Sequence, residues 1–215
     1  MATFSLLGKK EIKITDRITV RIPLVSEMRE CFNEEGGVFK LITVFINTPC
    51  DVMVELDDMG VDYTETTEYE LFICAFDNFL NGDLPIEEKY WSMLFPYLDK
   101  NTLSVKDNAV VDNENNIVID EKVYNLIADL FRQILDSPKN MEYYNVPEVE
   151  TRKYIISRQR VKMQREALKK TDNYLDNIIF KVVNDHSNEY DLETVNDLTI
   201  YDLVFYEKQI KNKIL

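Results

Sequence analysis

Residues 47–82 read NTPCDVMVELDDMGVDYTETTEYELFICAFDNFLNG. Two helices are written into this stretch. Pro49 suits the first turn of a helix, where its missing N–H costs nothing. Gly60 suits the position just past a helix end, where the backbone turns left-handed. Between them Val52, Leu56 and Met59 share one face, with Val54 beside them, and Asp51, Glu55 and Asp58 share another. Thr67 and Glu70 then have capping-box spacing before YELFICAFDNFL. Leu71, Ala75, Phe76 and Phe79 form an apolar stripe in that second helix, and Gly82 ends it.

Upstream, VFKLITVFIN reads as a buried helix closed by Thr48-Pro49, although its Val, Ile, Thr and Phe content is strand-like. Gly36-Gly37 separates it from SEMRECF, a short helix that Ser26 can cap. Residues 26–82 are therefore expected to form a compact acidic unit of helices. Before it, Glu11–Ile14 and Ile18–Ile22 alternate apolar and polar residues around Asp16-Arg17, the pattern of a half-buried hairpin.

Downstream, LPIEEKYWSMLFPYL leads into a second small hairpin, Leu103–Lys106 with Ile117–Ile119, turned by Asp112-Asn113-Glu114-Asn115-Asn116. Asp120 can cap a helix carrying Val123, Ile127, Leu130, Phe131 and Ile134. DSPKNMEYYNVPE holds two prolines and reads as a linker. A long helix then runs from about Pro147 to Lys170 and breaks near Thr171-Asp172. Leu175, Ile178, Ile179 and Val182 mark the next helix, Asp191 and Thr199 start the last short elements, and Ile200, Leu203, Val204, Ile210 and Ile214 form one more apolar stripe. The expected fold is mainly α, of α+β class. Its expected organisation is an acidic α+β domain over 1–137, a linker over 138–147 and a helical domain over 148–215.

Charge is segregated along the chain. Leu41 to Glu88 holds twelve carboxylates and no Lys or Arg, whereas Arg152 to Lys170 holds eight basic residues and one acid, Glu166. The formal net charge of −14 opposes non-specific binding of nucleic acid. Asp57, Asp58, Asp62 and Glu65 on the acidic side, and Arg158, Arg160, Lys162, Arg165 and Lys169 on the basic helix, are the candidate partner-binding residues. On that helix Tyr154, Val161, Leu168 and Leu175 recur every seven residues, but Ser157, Gln164 and Thr171 keep the seam too polar for a self-sufficient coiled coil. Three readings of it stay open: a solvated helix docked by its stripe, a surface for an acidic partner, or a nucleic-acid contact with little aromatic interleaving.

Chemical motifs are sparse. The single histidine, His186, lies at a polar helix end, so two-histidine metal sites are excluded. There is no phosphate-binding glycine loop and no Gly-x-Ser-x-Gly elbow, and no cofactor is expected. Asp57, Asp58, Asp62 and Glu65 fail the calcium-loop offsets, as do Asp112, Glu114 and Asn116, where Ile117 holds the glycine slot. Cys31, Cys50 and Cys74 are too scattered for a disulfide framework, and each is expected as a buried thiol in a reducing compartment. The N-terminus lacks a signal-peptide core, and Leu41–Ile46 is too short to span a membrane. The expected location is a cytoplasm.

Three segments carry a resemblance: residues 47–72 (NTPCDVMVELDDMGVDYTETTEYELF), 117–134 (IVIDEKVYNLIADLFRQI) and 190–210 (YDLETVNDLTIYDLVFYEKQI). Together they resemble a family of siphophage and prophage proteins encoded among the tail genes of phages that infect Firmicutes. Some of its members look like tail-assembly chaperones. The resemblance implies a non-enzymatic assembly factor in the bacterial host cytoplasm, with tail-tube or tape-measure proteins as partners. It also implies that family members continue past the segment ending at Leu215. Two other readings follow from charge: an inhibitor that binds a host protein through the acidic run, and a nuclease-like enzyme using Asp57, Asp58 and Asp62. Self-association into a homo-oligomer stays open.

Overall fold

The apolar alternation over residues 11–22 closes as a hairpin. In the computed structural model, which describes residues 4–31, 37–84, 86–167, 174–185 and 189–213, β1 (Glu11–Lys13) pairs antiparallel with β2 (Thr19–Arg21). Ile12 sits opposite Val20, and both are buried. Helix α1 (Val25–Cys31) follows. Ser26 lies inside it and is not its cap; the start is held by Glu27, whose carboxylate accepts from the Leu24 N–H and pairs with Arg21. Leu24 also bridges to Thr199, so the far end of the chain closes on this corner.

The strand-like run forms helix α2 (Val38–Ile46), with Val38, Leu41, Ile42, Val44 and Phe45 buried. It touches three later helices: α4 (Glu68–Asn81), α5 (Glu88–Leu94) and α6 (Glu121–Ile134). A helix surrounded in this way is apolar nearly all round, which is why its period is hard to read. Pro49 lies in a separate turn, Thr48–Val52, closed by Asp51 accepting from the Thr48 N–H and hydroxyl. Helix α3 (Met53–Asp58) starts after that turn. Its buried residues are Met53, Val54 and Leu56, and Met59 is exposed rather than part of the buried face.

Gly60 ends α3 at φ +74°. Its N–H donates to the Asp57 carbonyl, and the Val61 N–H donates to the Leu56 carbonyl, the paired bonds of a Schellman motif. An added Cβ at Gly60 would meet no atom within 4 Å, so an alanine there feels only the left-handed backbone. Gly60→Ala is expected to lower stability by about 1 kcal/mol. Urea denaturation measures this, and an unchanged or raised midpoint would contradict it.

Helix α4 starts on the expected capping box: Thr67 Oγ1 accepts from the Glu70 N–H, and the Glu70 carboxylate accepts from the Thr67 N–H. Gly82 closes it at φ +83°. The buried stripe is Tyr69, Phe72, Phe76 and Phe79, displaced from the expected Leu71 and Ala75, which are half-buried. Beyond α5, the second hairpin is in fact a three-stranded antiparallel sheet, β3 (Ser104–Lys106), β4 (Ala109–Asp112) and β5 (Ile117–Ile119), in that order. Asp107 and Asn108 take φ of 48° and 58° between β3 and β4, as a two-residue primed turn requires. The β4–β5 turn is organised by Asp112, which accepts from the Asn115 side chain, the Thr102 hydroxyl and the N–H groups of Asn115 and Glu114. These bonds hold its carboxyl down at about 2.

Asp120 caps α6 through the Val123 N–H, as expected. Helix α7 (Val149–Ala167), α8 (Tyr174–Asp185) and α9 (Ile200–Lys213) complete the described helices. The expected helix break at Thr171-Asp172, the Gly36 half of the glycine pair, Leu168, His186 and Ile214 lie outside the described residues. The main core runs from Leu6 to Leu203 and includes Leu175, Ile178, Ile179 and Val182 of α8. It therefore continues across the expected division at 138–147, because α8 packs on α9 and α9 packs on α6 and α1. A second, smaller core gathers Cys50, Met53, Val54, Leu56, Tyr63 and Ile156, with Tyr143, Tyr144 and Ile155 against it. The acidic unit expected over residues 26–82 is thus shared between two cores, with α1, α2 and α4 in the main one and α3 in the second. Cys31 and Cys50 are buried, but Cys74, on the outer face of α4, is exposed.

Candidate protein-interaction surface

Helix α7 is polar over most of its circumference, and Ile156 is its single buried residue among those described. The expected seven-residue stripe is not what docks it. Tyr154 and Val161 are exposed, and the helix attaches through the neighbouring pair Ile155-Ile156. The partner surface is α3 together with the segment expected as a linker. Tyr63 donates its hydroxyl to the Tyr143 carbonyl, Thr48 donates to the Asn140 carbonyl, and the Asn140 amide donates to Asp51. The 138–147 segment is therefore strapped to the acidic stretch. Two adjacent tyrosines inside DSPKNMEYYNVPE were the sequence signal for this packing.

Charge closes the same seam. Arg160 on α7 reaches both Asp57, at 3.1 Å, and Asp58 at the C-terminal end of α3. Arg152 pairs with Asp62 at 3.2 Å and donates to the Thr64 hydroxyl at 2.6 Å. Partial burial works against ionisation of Asp62, yet its carboxyl is held below the usual range by the Thr64 N–H and hydroxyl and by Arg152. Each such exposed pair contributes about 0–1 kcal/mol. The seam is thus held jointly by the small apolar cluster and a few weak ion pairs. Three of the four candidate acids and one candidate base are spent within the chain, and Arg152, an unforeseen member, completes the set.

The other candidate bases face outward. Arg158, Lys162 and Arg165 are exposed and make no ion pair among the described residues; Lys169 lies outside them. Glu65 is exposed and lies in neither group. The three cations line a groove of about 690 Å³ with Glu142, Tyr143 and Tyr154. The Arg158 guanidinium lies 5.9 Å from the Tyr154 ring centroid, within cation–π range. Lys162 and Arg165 follow Arg158 by about one and two helical turns, which sets the charges on one face at steps of about 6 Å and then about 4.5 Å along the axis.

No family model matches the chain, and neither curated proteins nor solved structures supply a match. Among the described residues no group of three or more His, Cys, Asp or Glu side chains is placed to hold a metal ion. No helix among them is long and apolar enough to cross a membrane.

Proposed function

We propose that this protein is a non-enzymatic assembly factor acting in a bacterial host cytoplasm, of the kind encoded among siphophage tail genes, and that it works by binding other proteins. The observation that carries the reading is the two-sided use of α7. One side clamps the chain's own acidic helix, and the other presents exposed cations, with no ion pair among the described residues, beside two tyrosines. A scaffold that spends its acids internally and keeps a basic, aromatic strip outside is suited to moderate, charge-steered association. The resemblance of residues 47–72, 117–134 and 190–210 to phage tail-cluster proteins supports the same reading.

The competing readings lean on Asp57, Asp58 and Asp62. Those carboxylates are engaged by Arg160 and Arg152, which weakens them both as a metal-binding set and as a mimic of nucleic-acid charge. Affinity capture from cells expressing phage tail genes, read by mass spectrometry, tests the proposal. Tail-tube or tape-measure proteins are expected to be enriched over a capture with unrelated acidic protein as bait. Enrichment of a host protein instead, with the tail proteins at background, would overturn it in favour of host inhibition.

A further inference from the structure

The groove beside α7 has a chemistry that identifies its occupant more narrowly. We infer that it is a docking site for an acidic segment of a partner protein, in which carboxylates about 6 Å apart meet Arg158, Lys162 and Arg165 and an apolar or aromatic side chain sits between Tyr143, Tyr154 and Val161. The inference rests on the protein-binding reading above and names the partner's chemistry.

Charge complementarity is the first argument. The chain carries a net charge of −14, yet this groove is lined by three exposed cations and one acid, Glu142. Among the described residues none of the three forms an ion pair, and Asp57 and Asp58 are taken by Arg160 and Asp62 by Arg152. Size is the second argument. About 690 Å³ falls within the range of clefts that enclose a small ligand or a few side chains. Spacing is the third. The cations follow one another at steps of about 6 Å and about 4.5 Å along α7. Alternate residues of an extended peptide are about 6.5–7 Å apart and lie on one side, so acids at alternate positions come within reach of the long, flexible Lys and Arg side chains of the row.

The same features disfavour a polynucleotide. A polynucleotide carries a charge at every residue, so it would set phosphates against Glu142 as well as against the cations, whereas a peptide with acids at alternate positions can place an uncharged residue there. A second copy of this chain is disfavoured by the repulsion between two bodies of charge −14.

The test uses the full chain and a fluorescein-labelled peptide of about eight residues, with glutamates at alternate positions and one central tyrosine. Fluorescence anisotropy is expected to show saturable binding that weakens as salt rises past about 0.1 M. The combined variant R158E/K162E/R165E is expected to weaken binding at least about tenfold while the melting temperature stays within experimental error, since all three side chains are exposed. Arg160 is left intact, so the α3–α7 seam is preserved. The glutamine version of the peptide is expected not to bind.

Equal binding of the glutamine peptide, or unchanged binding by the triple variant, overturns the inference. So does tighter binding of an oligothymidylate of matched length, which would assign the groove to nucleic acid. Self-association in sedimentation velocity that disappears in the triple variant would assign it to a second copy. A marked fall in melting temperature would mean that the cations support the protein's own fold, and would overturn it too. Failure of the peptide with tail proteins still captured by the triple variant would leave the assembly reading standing and remove only this groove from it.

Discussion

Phe45→Ala is expected to lower the unfolding free energy by about 3–5 kcal/mol, the range for truncating a fully buried phenylalanine. Phe45 sits on α2 with no exposed surface. Its ring lies 5.2 Å from Phe72, 6.0 Å from Phe76, 5.6 Å from Phe95 and 5.4 Å from Phe131, measured between centroids. These neighbours belong to α4, the end of α5 and α6, so one side chain joins four parts of the main core. The cavity left by alanine is bounded by rings that themselves stack on others, Trp91 on Phe95 at 4.4 Å and Phe72 on Tyr124 at 4.6 Å. Such a wall cannot collapse inward easily, which puts the cost at the upper end. Urea denaturation monitored by circular dichroism measures it. A loss near 1 kcal/mol would show that α2 is not the centre of the core.

Glu68→Gln is expected to cost about 3 kcal/mol, more than its position on a helix end suggests. Arg132 projects from α6 into the interior, with 3% of its side chain exposed. Its Nη2 donates to Glu68 at 2.9 Å and to the Ile46 carbonyl at 2.8 Å, joining α4 and the end of α2. Nη1 is buried with no hydrogen-bond partner. Glu68 is therefore the counter-charge for a guanidinium that water does not reach, and it also accepts from Lys139 at 3.0 Å. It lies in the first turn of α4, where a carboxylate is further favoured by the helix dipole. Neutralising Glu68 strands the buried cation. Removing the cation instead, by Arg132→Met, leaves Glu68 with Lys139 and costs about 1 kcal/mol, chiefly the lost donor to Ile46. The two urea midpoints should fall in that order. The reverse order would mean that Arg132 is solvated in the folded protein.

Local rules were readable wherever a residue acts on its own neighbourhood. Thr67 and Glu70, Gly60, Gly82 and Asp120 each do what their spacing implied, because caps and left-handed turns depend on a few adjacent residues. The AVVD strand was lost inside what looked like a connection, although Asp107-Asn108 was a primed-turn signal. The face of α4 was misjudged by about one position, since rings at Tyr69 and Phe72 reach the core better than Leu71 and Ala75 do. Charge segregation was plain in the sequence, but its destination was not. Arg160 and Asp57 are 103 residues apart, and no periodicity in α7 distinguishes Arg160, which turns inward, from Arg158, which turns out. The division of bases into structural and available ones is a tertiary fact.

The corner where Leu24 meets Thr199 sets a timetable for the protein's birth. The Val25 N–H donates to the Leu198 carbonyl, the Ile200 N–H donates to the Pro23 carbonyl, and the Gly8 N–H reaches the Asp202 carboxylate across 194 residues. At about 5–20 residues per second of synthesis, the first hairpin waits roughly 10–40 s for the helix that seals it. During that interval Val25 and Met28 of α1, both fully covered in the finished fold, lack the packing of α9. The nascent chain must be shielded over that time or remain loosely collapsed. Its yield in a cell then depends on elongation rate and on chaperoning at the ribosome exit as well as on the free energy of the completed molecule.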